Sequence, residues 1–211
     1  MKTNTNNGRF KGCIPSYEDA NFCAAIMDTN RAQWQRPDIL SSLIISPDMI
    51  VVDLGAGTGY FTDLFSQHLP DGEIIALDPE KSLISWLEER KKRDSLDNVS
   101  THQIEKEDPG LDQLNCEIDL LFVGYTYFHF DNPVKYFREK VYPFIQEKTA
   151  VAIADMAPVL GQRRHTVSEK QVIAEMTEAG FRLKDEPTTL FDQYLLVFKK
   201  GNHERQQKTT A

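Results

Sequence analysis

The stretch "IVVDLGAGTGYFTDLF", Ile50 to Phe65, opens with an apolar run, closes with a helix-like pattern and sets three glycines at alternating positions between them. A strand that turns into a helix through such a loop puts Gly55, Gly57 and Gly59 at its carboxyl end. There the missing side chains let a ligand approach the backbone and let the chain take positive φ. A dinucleotide enzyme needs G-x-G-x-x-G, so that a pyrophosphate sits on the helix N-terminus. Here the spacing is G-x-G-x-G, and Tyr60 fills the position of that third glycine. Asp53 stands two residues before Gly55, where a carboxylate repels a pyrophosphate and suits a ligand carrying positive charge.

Outward from this stretch, short aliphatic runs alternate with longer helical patterns, and no repeat or low-complexity linker interrupts them. The spacing predicts strands over Ile50 to Leu54, Glu73 to Asp78, Val99 to Ile104, Asp119 to Val123, Ala150 to Met156, Phe181 to Lys184 and Gln193 to Lys199. Helices are predicted over Tyr60 to His68, Glu80 to Lys92, Pro133 to Phe144 and Ser168 to Ala179, the last with a Ser168-x-x-Gln171 cap and Gly180 past its end. This order demands right-handed crossovers and a mostly parallel α/β sheet, whose ligands bind beyond the carboxyl ends of the strands at the switch point. Asp78 closes "IIALD" about twenty residues after the loop, the place of a carboxylate that receives both ribose hydroxyls of an adenosine.

A chain of 211 residues with 40% hydrophobic content is most simply one domain. We expect a flexible N-terminus over 1–15, a domain over 16–199 that begins with a helical lid (16–46), and a polar tail over 200–211. No apolar stretch reaches the length that crosses a bilayer, and the start lacks a secretory segment, so a soluble, cytoplasmic protein without a membrane partner is expected. Cys13, Cys23 and Cys116 are odd in number and form no C-x-x-C pair, which argues against a disulfide framework and against a structural metal site. Lys+Arg 24 against Asp+Glu 32 gives a net charge of −8, the wrong sign for a nucleic-acid partner.

"VVDLGAGTGYF" resembles the first motif of the class I S-adenosylmethionine-dependent methyltransferases, D-x-G-x-G-x-G after a hydrophobic strand, and the likeness runs from about Ser16 to Lys199. It is most similar to a bacterial small-molecule branch. The residues that carry this are "SYEDA" (Ser16 to Ala20), Trp34-x-x-Pro37, Tyr127-x-His129 and His165. The resemblance implies a Rossmann-like seven-stranded fold with helices on both faces and an N-terminal helical cap. It further implies S-adenosylmethionine as cofactor, S-adenosylhomocysteine as product and a small-molecule methyl acceptor as partner, with a homodimer left open. Asp53, Gly55, Gly57 and Gly59 would line the methionine and sulfonium portion, Asp78 the ribose, and Glu105 the adenine amino group. Thr58, Pro79 and Gly124 flank these positions and are counted with the cofactor site. Glu107 and Asp108 compete with Glu105 for its role.

Methyl transfer from a sulfonium needs alignment and exclusion of water, and a base only when the acceptor must lose a proton. The expected catalytic residues are His129, His165 and Tyr127, with Tyr125 and Asp155 as further candidates beyond the fourth and fifth strands. Two departures from the family stand out: Tyr125 replaces a small polar residue after the fourth strand, and Phe128 replaces a frequent histidine. They keep open a second reading, a catalytically altered binding module for the same cofactor that serves as a regulatory or partner protein. "GYTY" lacks the Asp/Asn-Pro-Pro-aromatic segment of amino-methylating DNA enzymes, and no proline precedes a cysteine as a cytosine-C5 enzyme requires. The cysteine pattern of arsenite methyltransferases is likewise missing.

Overall fold

The computed structural model describes residues 37–158, 166–190 and 193–201. The expected flexible start, most of the lid with Trp34, the segment holding His165 and nearly all of the tail lie outside those residues. A 3-10 turn over Pro37–Ser42 leads into the sheet. The strands are β1 (Ile50–Leu54), β2 (Glu73–Asp78), β3 (Val99–Gln103), β4 (Leu120–Gly124), β5 (Ala150–Met156), β6 (Phe181–Leu183), β7 (Thr188–Leu190) and β8 (Gln193–Lys200). Seven lie within one residue of the predicted spans at nearly every end. The eighth, β7, was not predicted. It pairs with the start of β8 while β6 pairs with its end, so the two short strands share one side of β8.

Strand order is β3-β2-β1-β4-β5-β8-β6, with β1 to β5 parallel and β8 antiparallel to β5. β1 therefore has β2 on one side and β4 on the other, and the chain reverses its direction across the sheet between them. That reversal opens a crevice at the carboxyl ends of β1 and β4.

Both faces of the central strands are buried. Val52, Leu54, Leu121, Val123, Ile153 and Leu196 pack on one face with Phe137, Val172 and Met176. Val51, Ile74, Leu120, Phe122 and Leu195 pack on the other with Phe61, Phe65 and Leu69. The second layer comes from α1 (Tyr60–Ser66) and α2 (Lys81–Asp94), the first from α3 (Pro133–Tyr136) and α4 (Glu169–Glu178). The helix predicted over Pro133 to Phe144 is composite. It widens into a π turn at Phe137–Val141 and ends in a 3-10 turn at Tyr142–Phe144, where Pro143 has no N–H to continue the ladder. The Ser168 side chain accepts the Gln171 N–H at 3.3 Å, as the capping pattern predicts, and Gly180 follows the helix at φ +103°.

Candidate functional site

The glycine loop after β1 is fastened to the end of β2. Gly55 and Ala56 donate their N–H groups to the Leu77 carbonyl at 2.7 and 3.0 Å, and Gly57 donates to Asp78 Oδ2 at 2.8 Å. The other Asp78 oxygen accepts the Glu80 N–H at 2.8 Å. This carboxylate is 5% exposed, and two backbone donors fix its orientation at the end of its strand. Gly55, Gly57 and Gly59 have φ of +81°, +59° and +80°, the left-handed region that side chains resist. From behind, Arg90 on α2 donates to the Thr58 carbonyl at 3.2 Å and to Asp63 at 2.9 Å.

The facing wall comes from the segment after β4. Tyr125 has φ +52°, a strained conformation for an aromatic residue. Its N–H donates to the Ala154 carbonyl at 2.8 Å, its ring stacks on Phe61 with centroids 5.9 Å apart, and its hydroxyl donates to Gln193 on β8. Thr126 Oγ1 donates to the Gly55 and Gly124 carbonyls at 3.2 and 3.1 Å, which ties this segment to the glycine loop. A Cβ on Gly55 would sit 2.4 Å from the Thr126 side chain.

Between these walls lies a cavity of about 300 Å³. Of the residues predicted to hold a cofactor, Gly55, Gly57, Asp78 and Pro79 line it. Asp53 does not: it is 2% exposed, lies behind the loop and accepts from Thr62 Oγ1 of α1 at 2.7 Å. Thr58 is fully buried and off the lining. Gly59 and Gly124 make room for protein rather than for the cavity, since a Cβ would meet Leu87 at 2.2 Å and the Phe122 ring at 2.6 Å. Glu105 is exposed in an isolated bridge to Asp108, outside the lining.

Among the expected catalytic residues, His129 is exposed at the rim of the cavity. Tyr127 is fully buried and donates its hydroxyl to Glu175 on α4 at 3.0 Å, so the geometry gives it a packing role that contact with a substrate does not share. His165 lies outside the described residues. Asp155, at the end of β5, is 1% exposed. One of its oxygens accepts the Met156 N–H at 2.7 Å and the other has no partner among the described residues. Burial pushes its pKa up to about 7, and the Met156 N–H pulls weakly the other way.

Among the residues on the lining, sequence reasoning missed Thr126, Ile104, Lys106 and Tyr136. Thr126 carried a signal, since it follows the expected fourth strand in the segment that must face the loop. Tyr136 carried none, because nothing local shows that a helix residue reaches this cavity. Among the described residues no cluster of acidic, histidine or cysteine side chains is arranged to hold a metal.

The lining suits an adenosyl sulfonium ligand on its own terms. Gly55 and Gly57 bring backbone without side chains to the lining, the Asp78 carboxyl group stands beside them, and apolar walls continue past it. Residues 45–202, well over half of the chain, match the family model described as a methyltransferase domain. No curated protein matches the chain. Among solved structures, a SAM-dependent methyltransferase from Aquifex aeolicus superimposes with a TM-score of 0.73 at 18% identity, over 85% of this chain and 97% of its own. The mitomycin 7-O-methyltransferase MmcR gives 0.72 at 12% identity, over 88% of this chain and 59% of its own. The pyocyanin biosynthetic protein PhzM gives 0.66 at 15%, again over 88% and 59%. The chain thus spans under two thirds of the latter two, and at these identities the likeness is one of fold. The family model and the fold agree: the chain belongs to the methyltransferase-domain family, on the class I S-adenosylmethionine-dependent fold for which S-adenosylmethionine is the cofactor.

Proposed function

We propose that this methyltransferase moves the methyl group of S-adenosylmethionine to a small-molecule acceptor by in-line displacement. The observation that carries the reading is the glycine cradle locked to Asp78 at the switch point of the sheet. When bound, the cofactor supplies a methyl group on a sulfonium that is already activated as a leaving group, so the chain need only align the partners and keep water out. Asp78, held by the N–H groups of Gly57 and Glu80, accepts the ribose hydroxyls. Leu54, Leu83, Ile104 and Phe130 exclude water along the groove. His129 at the rim takes a proton from an oxygen or thiol acceptor, and His165 is kept as a second base for the same step; a neutral amine attacks without either. A cavity of about 300 Å³ is the size of a small-ligand site. The net charge of −8 supports a small acceptor over a nucleic acid, and MmcR, a mitomycin O-methyltransferase, supports it by analogy of fold.

Calorimetric titration tests the reading. Micromolar or tighter binding of S-adenosylmethionine and S-adenosylhomocysteine, with none of NAD, is expected, and failure of the first two to bind overturns it. Asp78→Ala should keep the fold and weaken both strongly. A second reading, a binding module without turnover, is favoured by the Tyr127 hydroxyl being tied to Glu175 and by Phe128. Tight binding with no transfer to any of a panel of acceptors would select it.

A further inference from the structure

The groove has two unlike ends. The glycine loop forms one. The other is walled by Ile104, Phe130 and Tyr136 with Lys106 and His129 at its margin, and it opens into an adjoining cavity of about 220 Å³ that the last four also line. Tyr136, on α3, is 7% exposed, and Phe130 and Phe137 hold its ring at centroid distances of 4.5 and 5.7 Å. Tyr125, Tyr127, Tyr142 and Tyr194 each give their hydroxyls to the protein: to Gln193, Glu175 and the carbonyls of Gly201 and Val167. The Tyr136 hydroxyl has no such partner among the described residues, although a buried phenol normally finds one. Burial, with the charges of Asp108 and Glu107 nearby, raises its pKa far above that of an ordinary phenol, so it remains an O–H donor. Of the polar groups nearby, Lys106 pairs with Asp131 at 3.2 Å and Lys140 with Asp108 at 2.7 Å, Glu105 lies outside the lining, and His129, Glu107, Lys135 and Glu139 line the adjoining cavity.

We propose that Tyr136 reads the base of the cofactor, its phenolic O–H donating to a ring nitrogen of adenine lodged between the apolar walls at this end of the groove. The inference rests on the adenosyl reading above. With Asp78 on the ribose, the end walled by Ile104, Phe130 and Tyr136 is then where an aromatic base lodges. A flat base gains from aromatic walls, and a donor on the lining that the bound base cuts off from water penalises any base that offers no acceptor in its place.

The test is calorimetric titration of the wild-type protein and Tyr136→Phe with S-adenosylhomocysteine and its 1-deaza, 3-deaza and 7-deaza analogues, each with one ring nitrogen replaced by C–H. Because the hydroxyl bonds to none of the described residues, Tyr136→Phe keeps the packing. We expect one analogue to bind the wild-type protein about five- to tenfold more weakly than the others. Tyr136→Phe should weaken S-adenosylhomocysteine by a similar factor and erase that one deficit. Equal affinities for all analogues on the wild-type protein, or a deficit that persists in Tyr136→Phe, would overturn the assignment and leave the cofactor reading intact. A wild-type protein that binds none of these ligands would remove both.

Discussion

The carboxyl edge of the sheet is finished in two different ways. At β1 and β2 the backbone and side chains are stitched together: Gly55 and Ala56 to Leu77, Gly57 to Asp78, Thr58 to Arg90, Asp53 to Thr62. At β4, β5 and β8 the same edge holds a tyrosine at φ +52° and a buried carboxyl oxygen with no partner among the described residues. The first half fixes the loop and the Asp78 carboxyl group in one arrangement. The second stores strain and unsatisfied polar capacity, the mark of a surface shaped for something beyond stability.

The largest effect should come from Asp155. Its carboxyl ionises near 3.8 in the unfolded chain and near 7 in the folded one, so between those values the folded state keeps a proton that the unfolded state has lost. Its contribution to stability is complete below about pH 4 and falls as pH rises through about 7. Roughly three pH units at about 1.36 kcal/mol each give a loss on the order of 4 kcal/mol. Asp155→Asn removes the ionisation, and should be more stable than the wild-type protein at pH 8 by an amount of that order, with the gap closing near pH 4. Urea unfolding across this range checks it; parallel pH profiles would mean that the buried oxygen is solvated and that the two halves of the edge do not differ in unsatisfied polar capacity.

Next is Gly55→Ala, aimed at the stitched half. The new Cβ falls 2.4 Å from the Thr126 side chain, and φ of +81° is costly for alanine. Together these should lower stability by about 2 to 3 kcal/mol. Adding Thr126→Gly should recover the overlap and leave the backbone cost, so that the pair sits about 1 kcal/mol below the wild-type protein before the lost Thr126 bonds are counted. Chemical denaturation of Gly55→Ala, Thr126→Gly and the double variant separates the terms, and a Gly55→Ala protein of full stability would mean that the loop is not locked.

The same contrast explains what could be read from the sequence. The stitched half was legible, because a buried strand, a glycine run and a strand-end aspartate are neighbours along the chain and obey local rules. β7 escaped because Thr188–Leu190 is three residues long, follows Pro187 and, among the described residues, pairs with β8 alone. The direction of Asp53 escaped because both faces of β1 are buried. Its alternation with Val52 therefore shows that it leaves the Leu54 face without showing which face meets the ligand. Tyr136 and the Tyr125 to Gln193 link depend on residues brought together only by the tertiary fold, 68 positions apart in the second case. Glu105 was favoured by its place after β3, yet an exposed turn carries it off the lining.

The smallest effect concerns that link. The Tyr125 hydroxyl reaches past β5 to Gln193, a residue 2% exposed at the start of β8, while its ring rests on Phe61. A left-handed aromatic residue costs about 1 kcal/mol or more, so something must hold it there. Two holders act at once, the N–H bond to Ala154 and the phenol bond to Gln193. Tyr125→Phe removes only the second and keeps the stack, for an expected loss of about 1 kcal/mol. Combined with Gln193→Leu in a double-mutant cycle, the coupling should equal about that loss, because either change alone already breaks the bond. Additive losses would assign the strained turn to Ala154 and Thr126 alone, and would detach β8 from the cavity wall. Coupled losses would make the start of β8 a support for Tyr125, so that a change at a strand with no residue on the cavity lining still alters the wall an acceptor meets.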